Sequence, residues 1–309
     1  MRVILAILTH NRAMKRILIA GCGDIAMRVA PMLRGRYRLF GLVRSAGRFA
    51  ELRVSGVTPL PGDLDNRASL AHIAGLADIV LHFAPPPPLS HPQKNGGKEP
   101  DIDTRTRNLL AALSHGKLPK HLAYISTSGV YGDCGGAHVS ETRPLNPQTA
   151  RAQLRVNAEQ QIRDWARHNH VSASILRVPG IYADGRLPLE RLRANTPAII
   201  REEDSYTNHI HADDLARIVL AALRYAKPNR VYHASDDSPM KMGDYFDIVA
   251  DAHDLPRPSR LPRGEVERSV PPALWSFMNE SRRLSNERMK KELKVKLRYP
   301  AAVDALASV

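Results

Sequence analysis

The chain has 309 residues, 43% of them hydrophobic, which is enough for one large packed domain or for a main domain with a smaller companion. Its formal net charge of +14 comes from basic residues spread along the whole chain and densest after Arg257, a distribution that points away from specific nucleic-acid recognition and towards anionic small molecules. Two cysteines, Cys22 and Cys134, form neither a disulfide framework nor a metal-binding spacing and suit a reducing cytoplasm.

The opening MRVILAILTHNRA is too short an apolar run to span a bilayer and lacks a secretory cleavage site, so neither membrane insertion nor export is expected. Met14 is followed directly by KRILIAGCG and is the expected natural start, which makes residues 1–13 an N-terminal extension. From there short, β-rich apolar runs alternate with helix-period segments. Strands are predicted at 16–20, 37–43, 57–60, 78–83, 121–126, 171–177 and 230–234, with helices near 24–34, 66–75, 102–115, 149–169 and 211–226. Stacked βαβ units of this kind give an α/β fold with a Rossmann-type, doubly wound parallel sheet. The stretch APPPPLSHPQKNGGKEP (84–100) holds too much Pro and Gly for regular structure and is either a flap beside the site or a plain connection. A dinucleotide-binding domain over 14–178 and 207–235 is therefore expected, with a smaller C-terminal substrate lobe over 179–206 and 236–309. The lobe's best helix is LSNERMKKEL (284–293), with Ser285 as N-cap and Glu287 in the first turn.

RILIAGCGDIAMRVAPML reads as strand, glycine turn and helix. Gly21 and Gly23 permit a tight turn and close approach of backbone to a pyrophosphate, whose charge then rests on the helix N-terminus beside Asp24 and Ile25. Ala26 stands where a third glycine often does, and Cys22 is a small filler or a redox sensor. The end of the second strand selects the dinucleotide. A carboxylate there accepts hydrogen bonds from an adenosine ribose, whereas GLVRSAGR offers Arg44, Ser45 and Arg48 to a 2′-phosphate, so NADP(H) is favoured over NAD(H). Arg48 also reads as an ordinary exposed arginine. Of Asp63 and Asp65 in PGDLDN, one is expected to meet the adenine amino group and the other to cap the next helix. Leu64 and Ala84 complete the predicted cofactor wall.

Taken in order, AGCGDIA, GDLD, ISTSGVYGDCGG with SETRP, LRVPGIYADGRLP, HIHADDLA and LSNERMKKELKVKLRYP resemble the extended short-chain dehydrogenase/reductase family, which includes nucleotide-sugar epimerases and dehydratases. The resemblance covers nearly the whole chain from Met14. It implies that Thr127, with Ser128 beside it, holds the reacting hydroxyl of the substrate. It also implies a Tyr-x-x-x-Lys pair on the next helix, in which the lysine cation lowers the tyrosine pKa and binds nicotinamide ribose. Anchoring on Glu159 puts that pair at Arg151 and Arg155. Arginine stays protonated at neutral pH, so the usual proton acceptor is missing, although Arg155 remains suited to a ribose or a phosphate. Tyr131 and Tyr182 fall where the family lines its cleft, and Arg177 and Arg186 fall where an anion such as a diphosphate would lie. HIHADD resembles the family's entry to a helix, with Asp213 or Asp214 at the N-terminal end, more closely than it does a metal pair, and no metal is expected. The resemblance thus favours a cytoplasmic NADP(H)-binding oxidoreductase or epimerase/dehydratase-like enzyme for a small anionic, nucleotide-sugar-like substrate, with a homodimer as its assembly. The alternative is a non-catalytic NADP(H)-binding regulatory or redox-sensing protein.

Overall fold

The computed structural model describes residues 14–88 and 102–306. The expected extension over 1–13 and most of the proline-rich stretch lie outside them. Seven strands, β1 (Arg16–Ala20), β2 (Arg38–Val43), β3 (Val57–Pro61), β4 (Ile79–His82), β5 (His121–Thr127), β6 (Ser172–Val178) and β7 (Arg230–His233), form one sheet in the order β7-β6-β5-β4-β1-β2-β3. Every pairing in it is parallel, as in β1 with β4 and in β5 with β6. Each predicted strand is present, with its ends displaced by at most one residue.

A parallel sheet covered on both faces needs apolar residues at successive positions, and that requirement explains the unbroken runs. Ile17, Ile19, Leu39, Leu81 and Leu176 point to one side, where helices α1 (Asp24–Leu33) and, late in the chain, Ala212–Tyr225 cover them. Leu18, Phe40, Val80, Leu122 and Tyr124 point to the other, against α2 (Thr104–Leu113) and α3 (Ala150–His168). Burying each such Leu or Ile contributes about 1.5–3 kcal/mol relative to exposing it. Asp103 and Thr149 set where α2 and α3 begin, accepting from the backbone N–H of Thr106 at 2.9 Å and of Ala152 at 3.2 Å.

Three elements differ from expectation. Residues 67–73 form a 3₁₀ helix rather than an α-helix, because Asn66 accepts from Ala68 N–H at 3.2 Å and tightens a segment that Gly75, at φ +66°, soon ends. The short helix Phe49–Val54 was not foreseen. In the closing segment the helix is Glu287–Leu293 and Asn286, not Ser285, precedes it. Ser285 stays extended because its N–H donates to Val139 O at 2.9 Å, continuing the pairing of Arg283–Leu284 with His138–Val139.

Segments 179–206 and 236–306 contribute two-stranded ladders and short helices with apolar clusters of their own, one around Tyr182, Leu192, Tyr245, Phe246 and Val249. Met289, Leu293 and Leu297 instead sit in the layer with α1 and Ala212–Tyr225, so this stretch of the closing segment packs on the sheet domain. No helix among the described residues is long and apolar enough to cross a membrane.

Candidate functional site

The strand order reverses between β1 and β4, and the crevice there at the carboxyl ends of the strands is where open α/β sheets bind ligands. It holds a cavity of about 490 Å³. Gly21, at φ +102°, forms its floor, and a Cβ on it would lie 2.3 Å from the backbone N of Ala84. At Gly23 a Cβ would meet no atom of the chain within 4 Å, so internal packing does not call for glycine there. Close approach by a bound phosphate does. The amide groups of the first turn of α1, from Asp24 and Ile25 onwards, have no partner inside the helix and point to the same place. The Asp24 carboxylate would repel a phosphate, but it is neutralised by Arg28 at 3.0 Å and Arg186 at 2.8 Å.

At the ends of β2 and β3 the predicted residues separate. Arg44 lines the cavity with no hydrogen bond or ion pair to another described residue. Ser45 also lines it and accepts from Gly47 N–H at 3.3 Å. Arg48 is committed elsewhere, donating to Cys22 O at 2.7 Å and to Glu51 at 2.8 and 3.0 Å, which locks the glycine loop. Asp63 and Leu64 line the cavity. Asp65 is no helix cap. Arg105 on α2 holds it at 2.6 and 2.8 Å and also donates to Pro85 O and Pro86 O at 3.2 Å, while Asn66 does the capping. Burial pushes the Cys22 thiol up to about 12, so it is a thiol filler and not a reactive thiolate.

A second cavity of about 260 Å³ lies towards the other side of β5. Thr127, Ser128, Arg151, His209, Phe277, Glu280 and Arg282 are among the residues that line it. Thr127 Oγ1 accepts from Gly129 N–H at 3.2 Å, which leaves the hydroxyl proton free to donate. Arg151 stacks over the Phe277 ring at 4.3 Å. One turn further along α3, Arg155 lines the first cavity and donates to Tyr124 Oη at 2.9 Å and to Ile125 O at 2.8 Å. The two arginines therefore project into different cavities from one helix face, as the i, i+4 spacing requires.

These two cavities accompany a match to a family model, that of the NAD dependent epimerase/dehydratase family, over residues 17–234. The chain belongs to this family. A dTDP-glucose 4,6-dehydratase of Mycobacterium tuberculosis is 25% identical over 190 residues, 57% of this chain and 56% of the relative. The chain spans 56–63% of the length of the curated relatives first matched. Among solved structures, a conserved protein of unknown function from Silicibacter pomeroyi is 27% identical with a TM-score of 0.74, covering 95% of this chain and 97% of that one. The UDP-glucuronic acid 4-epimerase of Bacillus cereus, solved with UDP-glucuronic acid and NAD, shares the fold at 20% identity and TM-score 0.72, covering 94% and 96%. A nicotinamide dinucleotide is the cofactor that membership of this family supplies, and the first cavity fits it through Gly21, Gly23 and the first turn of α1.

Other predicted residues lie away from both cavities. Tyr131 is 1% exposed, its hydroxyl held between Arg177 and His233 at 2.6 Å each, and burial pushes its pKa up to about 12. It is a buried phenol and not a proton acceptor in the cleft. Arg177 does not face an anion site. It forms a two-pronged pair with Glu159 at 2.6 and 3.0 Å, with both side chains at most 4% exposed, and Ser126 donates to the same carboxylate at 2.7 Å. Glu159 earned its place in the sequence as a register mark and here holds β5, β6 and α3 together. Tyr182 is buried, flanked edge-on by His209 and His211. His211 Nδ1 accepts from Asp213 N–H at 3.2 Å and so caps the helix itself, while Asp214 accepts from Arg298 and Tyr299 N–H at 2.8–2.9 Å. Among the described residues no group of three or more His, Cys, Asp or Glu is placed to hold a metal ion. The sequence reading missed Arg105, Phe277, Glu280 and Arg282. Only their contacts with distant segments reveal them.

Proposed function

We propose that the protein is an NADP(H)-binding oxidoreductase or epimerase/dehydratase-like enzyme that acts on a hydroxyl or carbonyl group of an anionic substrate without the usual tyrosine and lysine pair. What supports this most is the placement of Thr127, Ser128 and Arg151 in one cavity while Arg155, on the same helix, lines the cofactor cavity. NADP(H) is favoured by Arg44, a guanidinium at the end of β2 with no hydrogen-bond or ion-pair partner among the described residues, next to Ser45. Nucleotide sugars are the substrate class carried by the names of the relatives, and the arginine-bearing cavity suits an anion.

A bound nicotinamide supplies a place for a hydride to go and return from. Around it, Thr127 and Ser128 orient the reacting oxygen. Arg151 offers its charge to an anionic group of the substrate, and it cannot take the proton. His209 also lines this cavity but is no base at neutral pH, because burial pushes its pKa down to about 3, which leaves Glu280 or water to receive a proton. In an oxidation a bound nicotinamide would take the hydride, while Thr127 and Ser128 hold the hydroxyl and its proton leaves to Glu280 or to water.

The decisive experiment is to identify any co-purified nucleotide, titrate NADPH and NADH by fluorescence, and follow 340 nm absorbance with a panel of nucleotide sugars and carbonyl compounds. Arg44→Asp should weaken NADPH binding by about 10–100-fold while leaving NADH within a few-fold. A variant that binds NADPH as tightly as the parent sinks the choice of cofactor. Arginine at the tyrosine position favours a second reading, a non-catalytic NADP(H) sensor, and stoichiometric cofactor without turnover on any compound would select it.

A further inference from the structure

The charge and size of the second cavity narrow the substrate class, on the basis of the NADP(H)-enzyme reading above. Three charged side chains line the cavity among the described residues: Arg151, Arg282 and Glu280. Arg282 donates to Glu280 at 2.6 Å and to Gly132 O at 2.8 Å, so these two charges cancel locally. Arg151 stacks on the Phe277 ring, and among the described residues no carboxylate lies within ion-pair distance of it, although Glu280 is near enough to favour its charge. Phe277 is 51% exposed, an aromatic face left open beside a guanidinium. The cavity therefore presents one uncompensated positive charge. Arg151 and Arg155 also stand one turn apart on α3 with like charge, and burial together with the neighbouring Arg155 holds the Arg151 pKa below its ordinary value. An anion at Arg151 would relieve both.

A diphosphate would need more cation than this. The two arginines that the family resemblance offered for it are taken: Arg177 by Glu159 in the core, and Arg186 by Asp24 in the cofactor cavity. Volume points the same way. The cavity's 260 Å³ falls below the roughly 300–1,000 Å³ of pockets that enclose drug-sized ligands, whereas a nucleotide sugar carries a base, two sugar rings and two phosphates.

We infer that the substrate is a small, singly charged hydroxy or oxo carboxylate, no larger than a monosaccharide acid, whose carboxylate pairs with Arg151 while Thr127 and Ser128 hold the oxygen that reacts. Phe277 walls the guanidinium from solvent on one side, and the Glu280–Arg282 pair lines the cavity without adding net charge.

The test is calorimetric titration of the full chain, first with NADP⁺ and then, on NADP⁺-saturated protein, with glucuronate, 3-hydroxybutyrate, UDP-glucuronate and UDP. At least one free carboxylate should bind, UDP-glucuronate should bind no better than glucuronate, and UDP should not bind. Arg151→Met should weaken carboxylate binding by about 10–100-fold with NADP⁺ affinity unchanged, and Arg151→Lys should restore part of it. The inference is overturned if UDP-glucuronate binds at least about tenfold tighter than glucuronate, if Arg151→Met leaves carboxylate binding intact, or if NADP⁺ binds and neither free carboxylate does. Failure of NADP⁺ itself to bind the parent protein overturns the cofactor reading instead, so the two failures are distinguishable.

Discussion

The first cavity is built mainly from backbone and the second mainly from side chains. In the first, a glycine at φ +102°, a helix N-terminus and the ends of four strands do most of the work, and all of it comes from a short stretch at the start of the domain and its neighbours in the sheet. In the second, Thr127 ends β5 with Ser128 just after it, Arg151 opens α3, His209 lies some sixty residues later, and Phe277, Glu280 and Arg282 arrive from near the end of the chain. A site made of backbone tolerates wide change in sequence provided the turn survives. A site made of side chains changes ligand whenever one of them does. This difference explains how a chain that belongs to a cofactor-binding family can carry arginine where the family resemblance expects tyrosine.

The Glu159–Arg177 pair lies in the core away from both cavities, and disrupting it should do the most damage. Glu159→Gln leaves a buried guanidinium short of its counter-charge, and urea unfolding should show a loss of about 3–5 kcal/mol. A loss below about 1 kcal/mol would mean that the pair does not hold β5, β6 and α3 together. Gly21→Ala attacks the backbone-built site alone. The backbone strain is about 1–3 kcal/mol, the added methyl clashes with Ala84, and NADPH binding should fall at least tenfold. Full retention of NADPH affinity would break the distinction drawn between the cavities.

Asp236 probes the support beneath the side-chain-built site, since its N–H donates to His209 O at 2.8 Å. Burial pushes its carboxyl pKa up to about 8, against about 3.9 in an unfolded chain. Between these values the folded protein holds a proton on Asp236 that the unfolded chain has lost, so this group's contribution to stability is fullest below about pH 4 and falls as pH rises towards 8, by about 1.4 kcal/mol per pH unit. Asp236→Asn should flatten that slope, measured as melting temperature against pH, and parallel curves for variant and parent would refute the assignment. The smallest expected effect is that of Arg151→Met on stability, within about 0.5 kcal/mol for a residue at the rim, with thermal melting as the check.

By itself the sequence determined the order and type of the main elements, the parallel doubly wound sheet, the phosphate-binding turn at Gly21 and Gly23, and the absence of tyrosine and lysine at positions 151 and 155. Those features are local: strand and helix periodicity, glycine spacing and residue identity are read within a few turns of chain. Only the tertiary structure decided which arginines are free. Among the described residues Arg44 and Arg151 have no hydrogen-bond or ion-pair partner, while Arg48, Arg177 and Arg186 are bound to Glu51 and Cys22 O, to Glu159, and to Asp24. A guanidinium whose N–H donors are already engaged by carboxylates or carbonyls within about 3 Å has less to offer a ligand. For most of these residues that neighbour comes from a distant part of the chain, set by packing rather than by pattern.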